Sequence, residues 1–337
     1  MQKVLIVGYG YWGPNLVRNF GQIAGCQIAG VVDSNSARIK AVRQQYSQIP
    51  AFEGLQEAIS KTGASAAVLA IPERLHFEMA KTCMEAGLDV LVEKPLALTL
   101  KDARALQTIA TAKKLVLMVD HTYLYSPSVE KLDSLISSGQ LGTLQFYDST
   151  RINLGLFRED TSVLWDLAVH DVAILCYLKK QKPREVLAVG HSTLPSQAES
   201  SAHVSMRFDD GFQAHVSVSW TSPLKRRQII VGGTSKMVLY DDLENTEKLR
   251  IYDTGVSERP DEIMNRMRVD YRVGDIWIPK IALGEPLSAM ARDFIACCTE
   301  RKVPRSDGQL ACDVVETIEA AENSMRNQSR WVRLENR

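Results

Sequence analysis

The sequence predicts an α/β protein: an N-terminal doubly wound parallel sheet, then an α+β domain with a large, mostly antiparallel sheet. Three observations carry this reading. Strand and helix signals alternate through residues 1–120. The strands there are continuous apolar runs, as expected of a parallel sheet covered on both faces. From 184 to 252, by contrast, strand-like runs follow one another with only short turns between them. The expected division is residues 1–121 and residues 122–337.

The elements follow in order. Val4–Val7 is an apolar run ending in glycines, and Pro14 suits the first turn of the next helix, where its missing N–H costs nothing. Ile28–Val32 is a second strand, closed by Asp33, with helices over 35–46 and 54–61. Ala66–Ile71 is a strand stopped by Pro72, and Gly87 closes a helix over 74–86. Val90–Val92 precedes Glu93-Lys94-Pro95. Thr99 is an N-cap candidate for a helix over 100–113, ahead of a strand at Leu115–Val119. Beyond 122 come a helix at 126–138, a strand at Phe146–Ile152 and a helix over 163–178. Six strands are expected between 186 and 252, with Asp209-Asp210-Gly211 as a hairpin turn. Residues 253–286 read as polar and irregular, with arginines at Arg266, Arg268 and Arg272. Helices at 287–300 and 309–326 and a short strand at Trp331–Leu334 close the chain.

Composition narrows the function. Lys plus Arg number 40 and Asp plus Glu number 40, so there is no overall basic character to suggest a nucleic-acid partner. No apolar run approaches the ~20 residues of a membrane span, and the N-terminus lacks a signal-peptide pattern. Six cysteines show no C-x-x-C spacing, which points to free thiols in a reducing cytoplasm.

Gly8-Tyr9-Gly10-Tyr11-Trp12-Gly13 matches G-x-G-x-x-G between a strand and a helix. Gly8 permits a tight turn, Gly10 lets a pyrophosphate approach the backbone, and Gly13 lets the helix pack against the strand. The helix N-terminus presents N–H groups to phosphate. Asp33, twenty residues past Gly13, is placed to accept ribose hydroxyls and to favour NAD over NADP; Arg38 softens that preference, and the plain alternative for Asp33 is a helix N-cap. This is the fingerprint of a Rossmann domain.

Lys94 ends a parallel strand, where ligands of open α/β sheets bind. Pro72 marks another edge of that crevice, His76 on the helix after it is placed to position cofactor or structure, and a structural pair with Glu93 or another carboxylate is the alternative role for Lys94. Asp166 and His170 stand four apart on a helix, so they share a face, and a histidine beside a carboxylate suits proton transfer. A buried histidine satisfied by Asp166 is the bland alternative. Zinc would need a third ligand that the spacing does not offer, so no metal is expected. Around these groups His121, Tyr123, Arg151, Asn153, Arg158 and Asp171 are candidates for binding substrate. The arginines suit phosphate or carboxylate. Pairing with Glu159, Asp160 or Asp148 is the competing reading.

Taken together, these residues resemble the Gfo/Idh/MocA oxidoreductases. The likeness rests on GYGYWG, Asp33, the Pro72/His76 segment, VLVEKPLALT, the H-x-x-x-Y-x-P junction at His121, the Asp166/His170 pair and the close from EPL at 285. It implies an NAD-binding Rossmann domain and a C-terminal domain for substrate binding and oligomerisation. It also implies that Lys94, Asp166 and His170 surround a carbon exchanging hydride with nicotinamide. Departures include Ile71 before Pro72, Thr161–Trp165 before the aspartate, Ala168 and Ala173. RINLGLFRED followed by WDLAVHD is similar to a subgroup associated with sugar-nucleotide or cell-surface sugar metabolism. The expected activity is therefore oxidation of a sugar or sugar-nucleotide ring hydroxyl to a ketone. A free sugar or cyclitol dehydrogenase, an NAD-retaining glycosidase and a non-catalytic NAD-sensing regulator remain alternatives. A broad sheet with few helices after it calls for a second subunit as cover, so a homodimer or homotetramer is expected.

Overall fold

The computed structural model describes residues 1–155, 157–158, 161–194, 198–261 and 266–335. The chain forms two compact units: residues 1–126 with 284–316, and residues 127–283 with 317–337.

In the first unit the strands are β1 (Gln2–Val7), β2 (Cys26–Val32), β3 (Ala51–Phe52), β4 (Ala66–Leu69), β5 (Asp89–Glu93) and β6 (Leu117–Asp120). They lie in the order β3-β2-β1-β4-β5-β6, all parallel. Between them run α1 (Gly13–Gly21), α2 (Ser36–Gln45), α3 (Leu55–Thr62), α4 (His76–Glu85) and α5 (Leu100–Lys113). The apolar runs are buried as their continuity predicts: Val4, Leu5, Ile6, Val90, Leu91 and Val92 are all inaccessible. Strand order reverses between β1 and β4, and such a switch point opens a crevice at the carboxyl ends. Local sequence sets the helix starts. Asn35 accepts from the N–H groups of Ala37 and Arg38, and Thr99 accepts from that of Asp102.

The second unit begins with α6 (Pro127–Ser137) and β7 (Leu144–Leu154), then α7 (Val169–Lys179). Strands β8 (Glu185–His191), β9 (Ser201–Arg207), β10 (Gln213–Ser219), β11 (Thr221–Gly233), β12 (Met237–Asp241), β13 (Leu249–Asp261) and β14 (Arg266–Trp277) follow. The chain continues through α8 (Pro286–Glu300) and α9 (Gly308–Arg326) to β15 (Val332–Arg333). The nine-stranded sheet runs β14-β13-β12-β11-β7-β10-β9-β8-β15, antiparallel except where β10 meets β7. In β9, Ala202, Val204 and Met206 are buried while His203 and Arg207 are exposed, the period-two pattern of a sheet covered on one face. Gly211, at φ +83°, makes the expected hairpin turn between β9 and β10.

Three expectations are corrected. The division near 121 becomes a cut after Ser126, and residues 284–316 belong to the first unit. The reason is packing: Glu285 accepts from Arg18 and Asn19, Phe294 meets Phe20 edge-on, and Tyr125 donates to Asp293 at 2.8 Å. The segment 253–286 is not irregular, because β13 and β14 form a long hairpin. From Val269 onward β14 is mostly solvent-exposed, and Asp270 and Arg272 between Val269, Tyr271 and Val273 mask the strand signal there. The helix expected over 163–178 opens with a π-turn at Leu164–Ala168 before α7.

Candidate functional site

The glycine turn is built for close backbone approach. Gly8 has φ +99°, and a Cβ there would lie 2.1 Å from the carbonyl oxygen of Ala70 on the chain leaving β4. A Cβ on Gly13 would meet the Gly8 carbonyl at 2.7 Å, whereas at Gly10 the nearest atoms belong to the Arg38 guanidinium, 3.8 Å away. Gly10 is thus bare backbone under a cation. The first turn of α1 has no side-chain cap and carries Pro14, so its N–H groups face outward unclaimed by a capping side chain.

Asp33 is buried and organises this turn. Its Oδ2 accepts the Tyr9 N–H at 2.7 Å and an Arg38 N–H at 3.3 Å, while Oδ1 accepts the Asn35 N–H at 2.8 Å. A carboxylate offers about four lone-pair positions, so one remains for a ribose hydroxyl. A cavity of about 270 Å³ at the switch point is lined by Gly8, Asp33, Arg38, Pro72 and, unforeseen in the sequence, Glu53 and Arg74. Tyr9 turns its ring away and donates its hydroxyl to Gln45, whereas Tyr11 and Trp12 are exposed and pack edge-to-face.

The next groups sit at the carboxyl ends of β4, β5 and β6. The His76 ring is buried between two carbonyl oxygens, with Nδ1 2.6 Å from Pro95 and Nε2 3.0 Å from Ile71. It fastens the Lys94-Pro95 turn to the Ile71-Pro72 turn, in keeping with a positioning role. Burial pushes its pKa down. Glu93 accepts the Lys94 N–H at 3.0 Å, and Glu93 pairs in register with Asp120 on β6. His121, 2% exposed, has no hydrogen-bond partner for either ring nitrogen among the described residues. Burial, and then the charge of Lys94, push it down to about 3, so the ring is neutral. Lys94, His121 and Tyr123 all belong to the first unit.

Asp166 and His170 belong to the second unit. Asp166 lies in the π-turn and accepts from Trp220 Nε1 at 2.9 Å, with Arg158 Nη1 3.8 Å from its other oxygen. Trp220 was not anticipated, since nothing local distinguishes it from a core tryptophan at a strand end. His170 follows on the first turn of α7 and is partly exposed. Asn153 is also partly exposed. Two substrate candidates are corrected: Arg151 and Asp171 are buried and bound to each other, Nε to Oδ2 at 2.7 Å and Nη2 to Oδ1 at 3.2 Å. Ser149 donates to the same carboxylate at 2.7 Å, and Tyr147 donates to the Asp171 carbonyl. Alternating burial on β7 points Arg151 inward and closes it to ligand. Glu159 and Asp160 lie outside the described residues, as do the side chains of Arg266 and Arg268.

A parallel sheet in the order 3-2-1-4-5-6 with a G-x-G-x-x-G turn and an acidic end to β2 defines a dinucleotide-binding Rossmann domain. Residues 2–121 match the oxidoreductase family described as Gfo/Idh/MocA with an NAD-binding Rossmann fold, and residues 129–239 match the C-terminal domain of the same family. The chain belongs to the Gfo/Idh/MocA oxidoreductases. It is similar to the UDP-N-acetylglucosamine 3-dehydrogenase of Acidithiobacillus ferrooxidans, with 27% identity over 76% of this chain and 78% of that one. The solved structure of that enzyme superposes with a TM-score of 0.80 at 24% identity, covering 96% of this chain and 97% of the other. A D-apiose dehydrogenase of Paraburkholderia graminis is 22% identical over 96% of this chain and 88% of its own.

The first unit's residues fit NAD. The bare Gly10, the α1 N-terminus, the remaining acceptor of Asp33 and the cavity beside it match pyrophosphate and adenosine ribose.

Proposed function

We propose that this protein is an NAD-dependent dehydrogenase that oxidises a ring hydroxyl of a sugar or sugar nucleotide to a ketone. The observation that carries this is His121: a buried neutral ring beside Lys94, with both nitrogens unmet, at the carboxyl end of the NAD-binding sheet. Bound NAD supplies the hydride acceptor. His170 takes the hydroxyl proton as general base, Lys94 hydrogen-bonds the reacting oxygen, and Asp166, held by Trp220, orients these groups. Asp33 disfavours a 2′-phosphate, so NAD is preferred over NADP.

The nucleotide-sugar class is supported by the UDP-N-acetylglucosamine 3-dehydrogenase relative and by Arg158, the candidate arginine that stays accessible. With Arg151 withdrawn, a free sugar or cyclitol is the second reading. The test is a panel of nucleotide sugars and free sugars with NAD, followed at the NADH absorbance. Stoichiometric NADH with a nucleotide sugar is expected. Sugar release without NADH would make it a glycosidase, and no response to any sugar would make it a regulator. His170→Ala should lower turnover roughly 10²–10⁴-fold; unchanged turnover removes His170 from the chemistry.

The six free thiols fit a reducing cytoplasm, and among the described residues no helix is long and apolar enough to cross a membrane. We infer a homo-oligomer from the uncovered face of the nine-stranded sheet and the exposed Tyr271, Val273 and Ile276 of β14. A monomeric mass by light scattering would overturn that inference.

A further inference from the structure

The turn that carries His121 is held by a distant part of the chain. β6 is the last strand of its sheet, and residues 306–307 lie along its free edge: the Val119 N–H donates to the Ser306 carbonyl at 2.9 Å, and Met118 forms an antiparallel bridge with Asp307. The side chains of this strip reach past the end of β6. The Ser306 hydroxyl donates to the Val119 carbonyl at 2.6 Å, and the same carbonyl accepts the His121 N–H at 2.7 Å. The His121 carbonyl accepts the Leu124 N–H at 2.9 Å, and the Leu124 carbonyl accepts Nη1 of Arg305 at 2.8 Å. The main chain of His121 is therefore flanked by two carbonyl groups to which Ser306 and Arg305 donate. Next along the chain, the Tyr125 hydroxyl donates to Oδ2 of Asp293 on α8 at 2.8 Å, and the Tyr125 ring lies 4.7 Å from the Arg305 guanidinium above it. Asp293 Oδ2 also accepts the Arg305 backbone N–H at 3.2 Å, so one carboxylate joins the turn to the strip.

We propose that Ser306, Arg305 and Asp293, acting with Tyr125, are positioning residues for His121: a clasp that fixes the imidazole by fixing the backbone beneath it. The proposal rests on the reading of His121 as a residue that meets the substrate. It also gives the return of residues 284–316 to the first unit a purpose beyond covering a sheet edge.

The need for a clasp follows from the ring itself. A side chain is oriented by its own hydrogen bonds or, lacking them, by its backbone and packing. His76 is of the first kind, with each ring nitrogen set against a carbonyl oxygen. His121 is of the second, since neither nitrogen has a hydrogen-bond partner among the described residues. Its placement then depends on residues 119–125. Thr122–Tyr125 is a single 3₁₀ turn, whose internal hydrogen bonds are poorly directed. External donors therefore carry much of the fixing. Ser306 is inaccessible and Tyr125 only 2% exposed, so water does not compete strongly for these bonds, and each is worth more than at a surface. Such precision matters in a substrate site, where a displacement of about 1 Å costs on the order of 10²-fold in rate.

The test reads the ring directly. Exchange of the imidazole C2 hydrogen for deuterium, followed by mass spectrometry of the full-length protein, gives a separate rate for each histidine. Ser306→Ala removes the donor to the Val119 carbonyl. Tyr125→Phe removes the donor to Asp293 but keeps the ring beneath Arg305. Either variant should speed C2 exchange at His121 by about two- to tenfold, the worth of one hydrogen bond, with His76 unchanged. The second readout is turnover of UDP-N-acetylglucosamine with NAD. Each variant should lower kcat/KM for the sugar nucleotide about tenfold and leave KM for NAD where it was. His121 exchange at the wild-type rate in both variants overturns the clasp, whatever happens to the melting temperature. Exchange that rises equally at His76 and His121 overturns it too, since that is general loosening. If one variant does not fold, the other decides, with Arg305→Lys, which alters the donor to the Leu124 carbonyl, as the third. If the probe is not turned over, the exchange rates decide alone. Exchange that responds at His121 while kcat/KM does not would keep the clasp and remove His121 from substrate binding.

Discussion

The core of the second unit and the carboxyl ends of β5 and β6 in the first treat buried charge in opposite ways. In the second, Arg151 and Asp171 are inside the protein but closed on each other in a two-point ion pair, with Ser149 adding a third donor. In the first, Glu93, Asp120 and His121 are withdrawn from water without a two-point partner of that kind: burial raises the two acids against the opposing charge of Lys94, and lowers the histidine. A compensated buried charge behaves as a structural rivet. An uncompensated one has an acid–base equilibrium displaced from its ordinary range, and such groups gather where chemistry is done. The same criterion reassigned Arg151 and Asp171 from substrate binding to the framework.

The sharpest way to break this comparison is to remove one half of the rivet. Arg151→Met leaves the Asp171 carboxylate buried and alone, and should cost about 3–5 kcal/mol of stability. Urea unfolding would show it, with NAD affinity of the folded fraction unchanged. A loss of substrate binding with little loss of stability would instead return Arg151 to the site.

The acid–base groups of the first unit should make stability depend on pH from both sides. His121 has a folded pKa of about 3 against roughly 6.5 unfolded, so the folded state binds fewer protons and stability is lost as pH falls below the unfolded value. Glu93 and Asp120 have raised folded values, so the folded state binds more protons than the unfolded chain. Their contribution is complete below about pH 4 and declines as pH rises toward about 8. The two windows overlap between about pH 4 and 6.5, where the effects oppose each other, so melting temperature should fall below about pH 4 through His121 and above about pH 6.5 through Glu93. Asp120→Asn should flatten the alkaline limb and His121→Asn the acid limb, as scanning calorimetry across pH would record. Limbs that neither substitution alters would assign the pH dependence elsewhere.

A smaller effect is expected at Trp220. Trp220→Phe keeps the ring but removes the N–H that Asp166 accepts, worth roughly 0.5–1.5 kcal/mol, or about a three- to tenfold fall in turnover. The Michaelis constant for NAD should not move. A fall in stability with turnover intact would make this tryptophan a core residue only.

Much of this was legible in the chain. Strands buried on both faces announce themselves as apolar runs, so β1, β2, β4 and β5 fall where expected to within a few residues. G-x-G-x-x-G is legible because each glycine answers a local steric demand, as the 2.1 Å approach at Gly8 illustrates. Of the β13–β14 hairpin only the start, Leu249–Tyr252, was legible, since the exposed part of β14 has no buried face to impose alternation. Trp220 escaped notice for a different reason: it matters through Asp166, a partner distant in sequence.

The sequence by itself determined the class of sheet, the nucleotide turn, the acid that ends β2, and the histidine and lysine that suit the chemistry. Period and turn chemistry are local, and a few neighbouring residues suffice to write them. Tertiary structure alone decided which charges are spent on each other and which are left to work. Asp171 and Asp166 are the same residue type five positions apart. One is sealed against Arg151 from β7, and the other, partly exposed, is held by the indole of Trp220. That distinction depends on which strand passes behind each carboxylate, and it exists only once the chain has folded.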